Sequence, residues 1–418
     1  MIRQILFLQG PPGRFLADLA DELSARSHGV HRVNFNGGDR LSWRLPGAVD
    51  FRAPPHDWPR FLGALLTRRG ITDIVLFGDC RPLHRAAALL ARERDVTLHV
   101  FEEGYIRPDW ITLERDGVNA HSPLAKDPHW YRTIGAGLPE VESRTALPSS
   151  LHARALACLA YHAAEIALRP LFPHHRTHRP WGPLTEARGW AARLLRHRAT
   201  EKRSLHALHR LADNPYFVLP LQLDSDYQLR VHSTFHGMRP ALRRVLTSFA
   251  RHAPRESVLV VKTHPLDNGL VDWRRVTLAL ACANGVAERV VFVEGGDIAE
   301  LVAGSRGVVT VNSTTGTLAL AAGRAVMVLG RAIYDMAGLT HQGALDNFWT
   351  APIAPDPDLY EAFRRVLAGR CLIAGGFYAR HMKGTLAAAA DRILAPAPSS
   401  SASPSGVRGA HPALASAG

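Results

Sequence analysis

Lysine is nearly absent from this chain. Lys126, Lys202, Lys262 and Lys383 are the only four among 50 basic residues, and arginine supplies the rest. Acids number 37, which leaves a formal charge of +13 before any of the 22 histidines is counted. Codon bias accounts for part of the arginine excess, yet such a charge still favours anionic partners: nucleotides, phosphates or lipid headgroups. Cysteine is also scarce. Cys80, Cys158, Cys282 and Cys371 lie far apart with no C-x-x-C pair, so the sequence offers neither a disulfide framework nor a zinc pattern. Long apolar runs are missing too. The longest helical one, residues 155–168, has 14 positions, contains His162 and Glu165, and is flanked by Arg154 and Arg169. A bilayer span takes about 20 apolar residues, so no crossing is expected. The apolar start, from Ile2 to Leu8, is too short for a signal peptide and reads as a strand entering a glycine turn. A cytoplasmic chain is expected.

With 418 residues and 46% hydrophobic content, there is enough apolar material for two or three packed domains. Short aliphatic runs alternate with helical patterns, the mark of an α/β fold with parallel strands. Strands are expected at 4–9, 30–34, 73–77 and 97–101, and a second series at 216–220, 257–262, 289–293, 307–311 and 325–329. Helical patterns occupy 14–27 and 82–94. Two series predict two doubly wound domains, at 1–150 and 213–394, joined by a helical segment at 151–212. Between residues 167 and 210 that segment carries ten Arg and Lys against only Glu186 and Glu201, with Trp181 and Trp190 among them. Two readings stay open: a solvated arginine-rich face, or a surface resting on anionic lipid, where each basic residue contributes roughly 1 kcal/mol. Nucleic acid is disfavoured, because no recognised binding signature accompanies the charge. From 395 to 418, Ala, Pro, Ser and Gly fill 20 of 24 positions, a tail expected to be unstructured.

Polar groups collect where strands end. Gly10 and Gly13 follow the first strand, and the turn Asn34-Phe35-Asn36-Gly37-Gly38-Asp39 follows the second. Neither is a G-x-G-x-x-G or P-loop string, but both sit where open α/β sheets bind ligands. A simple tight turn explains the first equally well. Glu102 and Glu103 leave the fourth strand with Gly104 and Arg107 beside them. Paired carboxylates suit general acid/base work, since repulsion and burial raise one pKa toward neutrality; an ordinary acidic turn is the commoner explanation of such a string. Gln222, Asp224 and Asp226 lie beyond the strand at 216–220, and Lys262 and His264 close the next one in a Lys-x-His-Pro string placed for an anion. Asn312, Ser313, Thr314, Thr315 and Gly316 form a hydroxyl-rich turn between a strand and a helix. One hydroxyl is enough for an N-cap, and the surplus favours a phosphate seat.

Taken together these strings resemble the capsular polysaccharide proteins of the KpsS/LipB type. The resemblance runs from about Ile2 to Tyr378 and rests on Gln9-Gly10-Pro11 with Gly13, the 34–39 turn, Gly78-Asp79-Cys80-Arg81-Pro82 and the string from Glu102 to Pro108. It continues through Pro220 to Gln228, Lys262-Thr263-His264-Pro265, Asn312 to Gly316, and Gly338-Leu339-Thr340. It implies two facing Rossmann-like domains of the GT-B glycosyltransferase type. The implied activity is transfer of β-Kdo from CMP-Kdo to a lyso-phosphatidylglycerol acceptor, which starts the linker of a capsular polysaccharide. That places the protein peripherally on the inner face of the inner membrane, with capsule assembly and export proteins as partners, and without nucleic acid, cofactor or metal. By motif, Glu102 would transfer protons with Glu103 as understudy, and His264, Ser313 and Thr314 would hold the departing CMP phosphate. Donor and product are both implied to be β, and retention by double displacement needs a carboxylate nucleophile; Asp226 is the candidate and Asp224 the alternative. Two other functions stay open: a non-catalytic adaptor of the export complex, and a transferase of a UDP-sugar.

Overall fold

The computed structural model describes residues 2–141, 150–177, 181–209, 211, 214–224, 226–379 and 382–396. Of the tail expected to be unstructured from residue 395, residues 397–418 lie outside the described residues.

The first sheet is built from β1 (Gln4–Phe7), β2 (Gly29–Asn34), β3 (Ala48–Asp50), β4 (Asp73–Phe77), β5 (Thr97–Glu103) and β6 (Trp110–Arg115). The second holds β7 (Tyr216–Pro220), β8 (Val258–Lys262), β9 (Val290–Val293), β10 (Gly307–Thr310) and β11 (Ala325–Val328). A last strand, β12 (Leu372–Ala374), returns to the first sheet and pairs with β6. The sheet orders are β12-β6-β5-β4-β1-β2-β3 and β11-β10-β7-β8-β9. Within each, five parallel strands run in the order third, second, first, fourth, fifth, so the direction of winding reverses between β1 and β4 and again between β7 and β10. Such reversals open a crevice at the strand ends, the usual ligand position in open α/β sheets. The strand interiors are aliphatic and fully buried, as parallel strands covered on both faces must be.

Both expected strand series are present, within one or two residues at each end. The structure adds three strands that the sequence reading lacked: β3, β6 and β12. The last matters for domain organisation. The stretch 213–394 does not stay with the second sheet, because β12 joins the first and the Lys383–Leu394 helix packs against the Phe15–Ala25 helix. Arg3 donates to the carbonyls of Ile393 and Leu394 at that seam.

The middle segment is helical as expected, with helices at Leu151–Ala167 and Pro183–His209. The first explains the turn after β2. A Cβ on Gly37 would stand 2.2 Å from the Ala164 carbonyl oxygen, and one on Gly38 would stand 2.6 Å from the Tyr161 ring. The Tyr161 hydroxyl donates to Asp39 at 2.9 Å, and Gln9 donates to that hydroxyl at 2.8 Å. Asn36 caps the Gly37–Ser42 helix by accepting from the Asp39 N–H. The turn expected to line a ligand site is therefore filled by a helix of the same chain.

Candidate active site

The connection that leaves β5 is the hub of the crevice. Three residues at the end of β5 or just beyond it act on three different strings of the second lobe, one by a hydrogen bond and two by charge. Glu102, half-buried, feels the charge of Asp226. The Tyr105 carbonyl accepts from Thr317 Oγ1 at 2.8 Å, just beyond the hydroxyl-rich turn. Arg107 lies close enough to His264 to depress its basicity.

Burial raises the Glu102 carboxyl to about 7, reinforced by Asp226 and Glu103 and opposed by the Glu103 N–H, which donates to it at 3.0 Å, and by Arg81. A carboxyl half ionised at neutral pH is poised for proton transfer in either direction. Glu103 is occupied differently: it forms an ion pair with Arg154 at 3.1 Å. The two carboxylates are thus distinguished by surroundings, one desolvated and one paired.

His264 is pushed down to about 4, first by burial and then by Arg107, Arg193 and Arg154. The Leu266 N–H donates to its Nδ1 at 3.0 Å, which leaves the ring proton on Nε2. At neutral pH His264 is an uncharged N–H donor ringed by guanidinium groups. Its depressed value means that its contribution to folding is complete above about pH 6.5 and fades as pH falls toward 4.

Several other sequence candidates are committed to holding the frame. Gln222 and Asn312 exchange two hydrogen bonds, side-chain amide to Asn312 Oδ1 at 2.8 Å and Asn312 N–H to Gln222 Oε1 at 3.1 Å, across the β7/β10 reversal. Asp224 accepts the Met238 N–H at 2.6 Å, at the start of the Met238–His252 helix. Lys262 turns to the Gly295 carbonyl at 2.7 Å. The Ser313 and Thr315 hydroxyls bond each other at 3.2 Å, and Gly316 makes room for Tyr334, whose hydroxyl donates to the Ser313 carbonyl. Thr314 precedes the Thr315–Ala321 helix without using its side chain as a cap. Gly10 packs against Leu16, and Gly13 takes a φ of 109°, which L side chains rarely adopt, beside Ala157.

Two site residues came from where the sequence gave no local signal. Arg154 projects from the Leu151–Ala167 helix onto Glu103, with its guanidinium 5.6 Å from the centre of the Tyr378 ring. Arg193, on the Pro183–His209 helix, donates to the Asp267 carbonyl and flanks His264. The excess charge of the middle segment was visible; which two arginines turn inward was not.

The sign of the Glu102 shift is testable. Its folded value of about 7 lies above the ordinary 4.5, so the folded state holds the proton more tightly and loses stability as pH rises between those values. Glu102→Gln removes this dependence. The variant should gain in melting temperature relative to the unsubstituted protein as pH rises from 4.5 to 8, measured by calorimetry; a difference that stays flat with pH would contradict the assignment.

Residues 72–378 match the family described as "Capsule polysaccharide biosynthesis protein". The chain is 36% identical to the capsule polysaccharide export protein KpsS of Escherichia coli, over 90% of this chain and 97% of that one. It is 34% identical to the capsule polysaccharide modification protein LipB of Neisseria meningitidis, over 90% and 92% respectively. Among solved structures, the β-Kdo 2,7 transferase KpsC of Thermosulfurimonas dismutans aligns over 86% of this chain and 89% of its own, at 14% identity and a TM-score of 0.40. The family match spans most of the chain, and the two curated relatives align nearly end to end: the chain belongs to the capsule polysaccharide biosynthesis proteins.

Proposed function

We propose that this protein transfers a β-Kdo residue from CMP-Kdo to a lyso-phosphatidylglycerol-type acceptor, with retention of configuration. The observation that carries the reading is the position of Glu102 at the crevice, raised to about 7 by burial and, behind it, by the charge of Asp226. Asp226 is preferred to Asp224 as nucleophile because it is the Asp226 charge that reaches Glu102.

In the first step an Asp226 oxygen attacks the anomeric carbon, C2 of Kdo. The bond from C2 to the phosphate oxygen breaks, and CMP leaves with the electron pair. His264 Nε2–H and the guanidinium groups of Arg107 and Arg193 would meet that charge; a preorganised donor of this kind is worth roughly 3 kcal/mol. In the second step the acceptor hydroxyl attacks C2, ionised Glu102 takes its proton, and the bond to Asp226 breaks. Two inversions restore the β configuration. The same groups in an export adaptor would consume no CMP-Kdo.

Mass spectrometry of purified protein mixed with CMP-Kdo and lyso-phosphatidylglycerol should show the glycolipid and stoichiometric CMP. Glu102→Gln and Asp226→Asn should each lower turnover by about 10²–10⁴-fold, and a slow substrate should leave a Kdo adduct on Asp226. Absence of CMP release would favour the adaptor reading. An adduct on another carboxylate, or full activity of Asp226→Asn, would remove Asp226 from the mechanism.

The lipid acceptor suits a second surface. No helix among the described residues is long and apolar enough to cross a membrane. Yet of the fourteen exposed large apolar side chains among those residues, nine lie between Leu156 and Leu205. On the Pro183–His209 helix, Gly189, Arg193 and Ser204 share the face that docks on the second lobe. Leu184, Leu194 and Leu195 project outward among the exposed Arg188, Arg196, Arg198 and Lys202. Apolar side chains that enter an interface, flanked by arginines that meet anionic headgroups, are the two signals of peripheral membrane binding. Cosedimentation with phosphatidylglycerol-containing vesicles should be strong at low salt and fall about tenfold for Leu194→Glu combined with Leu195→Glu, with no change in melting temperature. Equal binding by the double variant would contradict this surface.

A further inference from the structure

Beside the crevice lies a group of side chains that the transfer chemistry does not use. Asp79 and Cys80 follow β4, His121 ends the short turn Asn119–His121, and His232 follows the Tyr227–Val231 helix of the second lobe. One potential ligand atom from each lies within 4.8 Å of all the others. Asp79, Cys80 and His232 are 4%, 3% and 1% exposed, and His121 is half-buried. The Cys80 sulfur is 3.2 Å from Asp79 Oδ1 and 3.1 Å from His232 Nε2, while His121 Nδ1 is 2.9 Å from Asp79 Oδ2. The two imidazole rings meet edge to face at 4.7 Å.

We propose that Asp79, Cys80, His121 and His232 form a four-ligand site for a zinc-type divalent metal, which fastens the two lobes together beside Glu102. The donor set is the argument. One thiolate, one carboxylate and two neutral imidazoles are the ligand types that tetrahedral Zn²⁺ takes, and their two negative charges balance the ion. Metal–ligand bonds of about 2.0–2.3 Å put donor atoms roughly 3.3–3.8 Å apart across a tetrahedron. The three hydrogen-bonded spacings, 2.9–3.2 Å, fall a few tenths of an ångström short of this and every donor pair lies within 4.8 Å, so the site closes by side-chain rotation about donors already gathered. Mg²⁺ and Ca²⁺ are excluded by the thiol and imidazoles, since they require oxygen ligands. Outer contacts that would orient the ligands exist: the Val118 N–H donates to Asp79 Oδ2, and the Arg331 N–H donates to the His232 carbonyl.

The arrangement gives the metal a position as well as a chemistry. Three ligands come from the first lobe and His232 from the second. Gly78, next to Asp79, faces Glu102 so closely that a Cβ there would stand 3.6 Å from Oε2. A metal held here would set the spacing between lobes at the point where Glu102 meets Asp226, without touching sugar or phosphate. The ligands are separated by up to 153 residues, which is why cysteine spacing shows no zinc pattern.

The test uses the full chain, purified without chelator, loaded with ZnCl₂ and desalted into metal-free buffer. Elemental analysis should give about one zinc per chain, and Cys80→Ser and His232→Ala should each hold less than a tenth of that. Cys282→Ser, at an exposed cysteine elsewhere, should hold the full amount. Loading with Co²⁺ instead should give intense tetrahedral bands and a thiolate charge-transfer band, and the unsubstituted protein decides this even if a variant fails to fold. Substoichiometric zinc in the folded protein, equal zinc in folded Cys80→Ser, or a cobalt spectrum without the thiolate band would overturn the proposal.

Discussion

Desolvation of one carboxyl group, Glu102, organises this molecule. A carboxylate in water would be fully ionised at neutral pH and of little use for moving protons. Here the end of β5 carries it into a crevice within reach of the charge of Asp226 from the opposite lobe, and burial raises it to about 7. Much of the surrounding structure serves to hold that position. β6 runs back antiparallel, pairing Glu102 with Thr112 and Glu103 with Ile111. Gly104 lies under the Trp110 carbonyl so tightly that a Cβ would come within 2.2 Å of it. Tyr105 is anchored by Glu114 and by the Asn119 N–H. β12 then pairs with β6, so the end of the chain buttresses the hairpin that carries the acid.

The arginine content divides by position. Arg154 and Arg193 turn inward, toward Glu103 and His264, and with Arg107 they make the crevice strongly positive around a neutral imidazole. Arg188, Arg196, Arg198 and Lys202 turn outward among exposed leucines. One helix, Pro183–His209, contributes to both faces. Under the proposed function, a lipid acceptor and a nucleotide donor would approach the two sides of a single element, each met by positive charge suited to its phosphate.

How much of this was legible in the sequence follows from the range of the interactions involved. The parallel strands were readable because each is a continuous aliphatic run between turn residues, and Glu102, Asp226 and His264 drew attention as candidates because each lies at or beyond the end of such a strand. β6 was missed because its sequence, Trp110 to Arg115, mixes apolar and charged residues at a sheet margin, and β12 because it has only three residues. The Asn36-Gly37-Gly38-Asp39 turn read as a ligand turn because glycines that admit a ligand and glycines that admit a helix look alike. Only the approach of Ala164 and Tyr161 tells them apart. Lys262 likewise ends its strand as expected, but its ammonium group is spent on the Gly295 carbonyl.

The central claim is that burial raises Glu102 toward neutrality and that the charge of Asp226, from the other lobe, adds to the rise. Difference infrared spectroscopy, with Glu102→Gln as the blank, follows the Glu102 carboxyl through a pH titration. The midpoint should fall near 7 in the unsubstituted protein and move lower in Asp226→Asn, because a repelling charge has been removed. A midpoint near the ordinary 4.5, or one that Asp226→Asn leaves unmoved, would contradict the account.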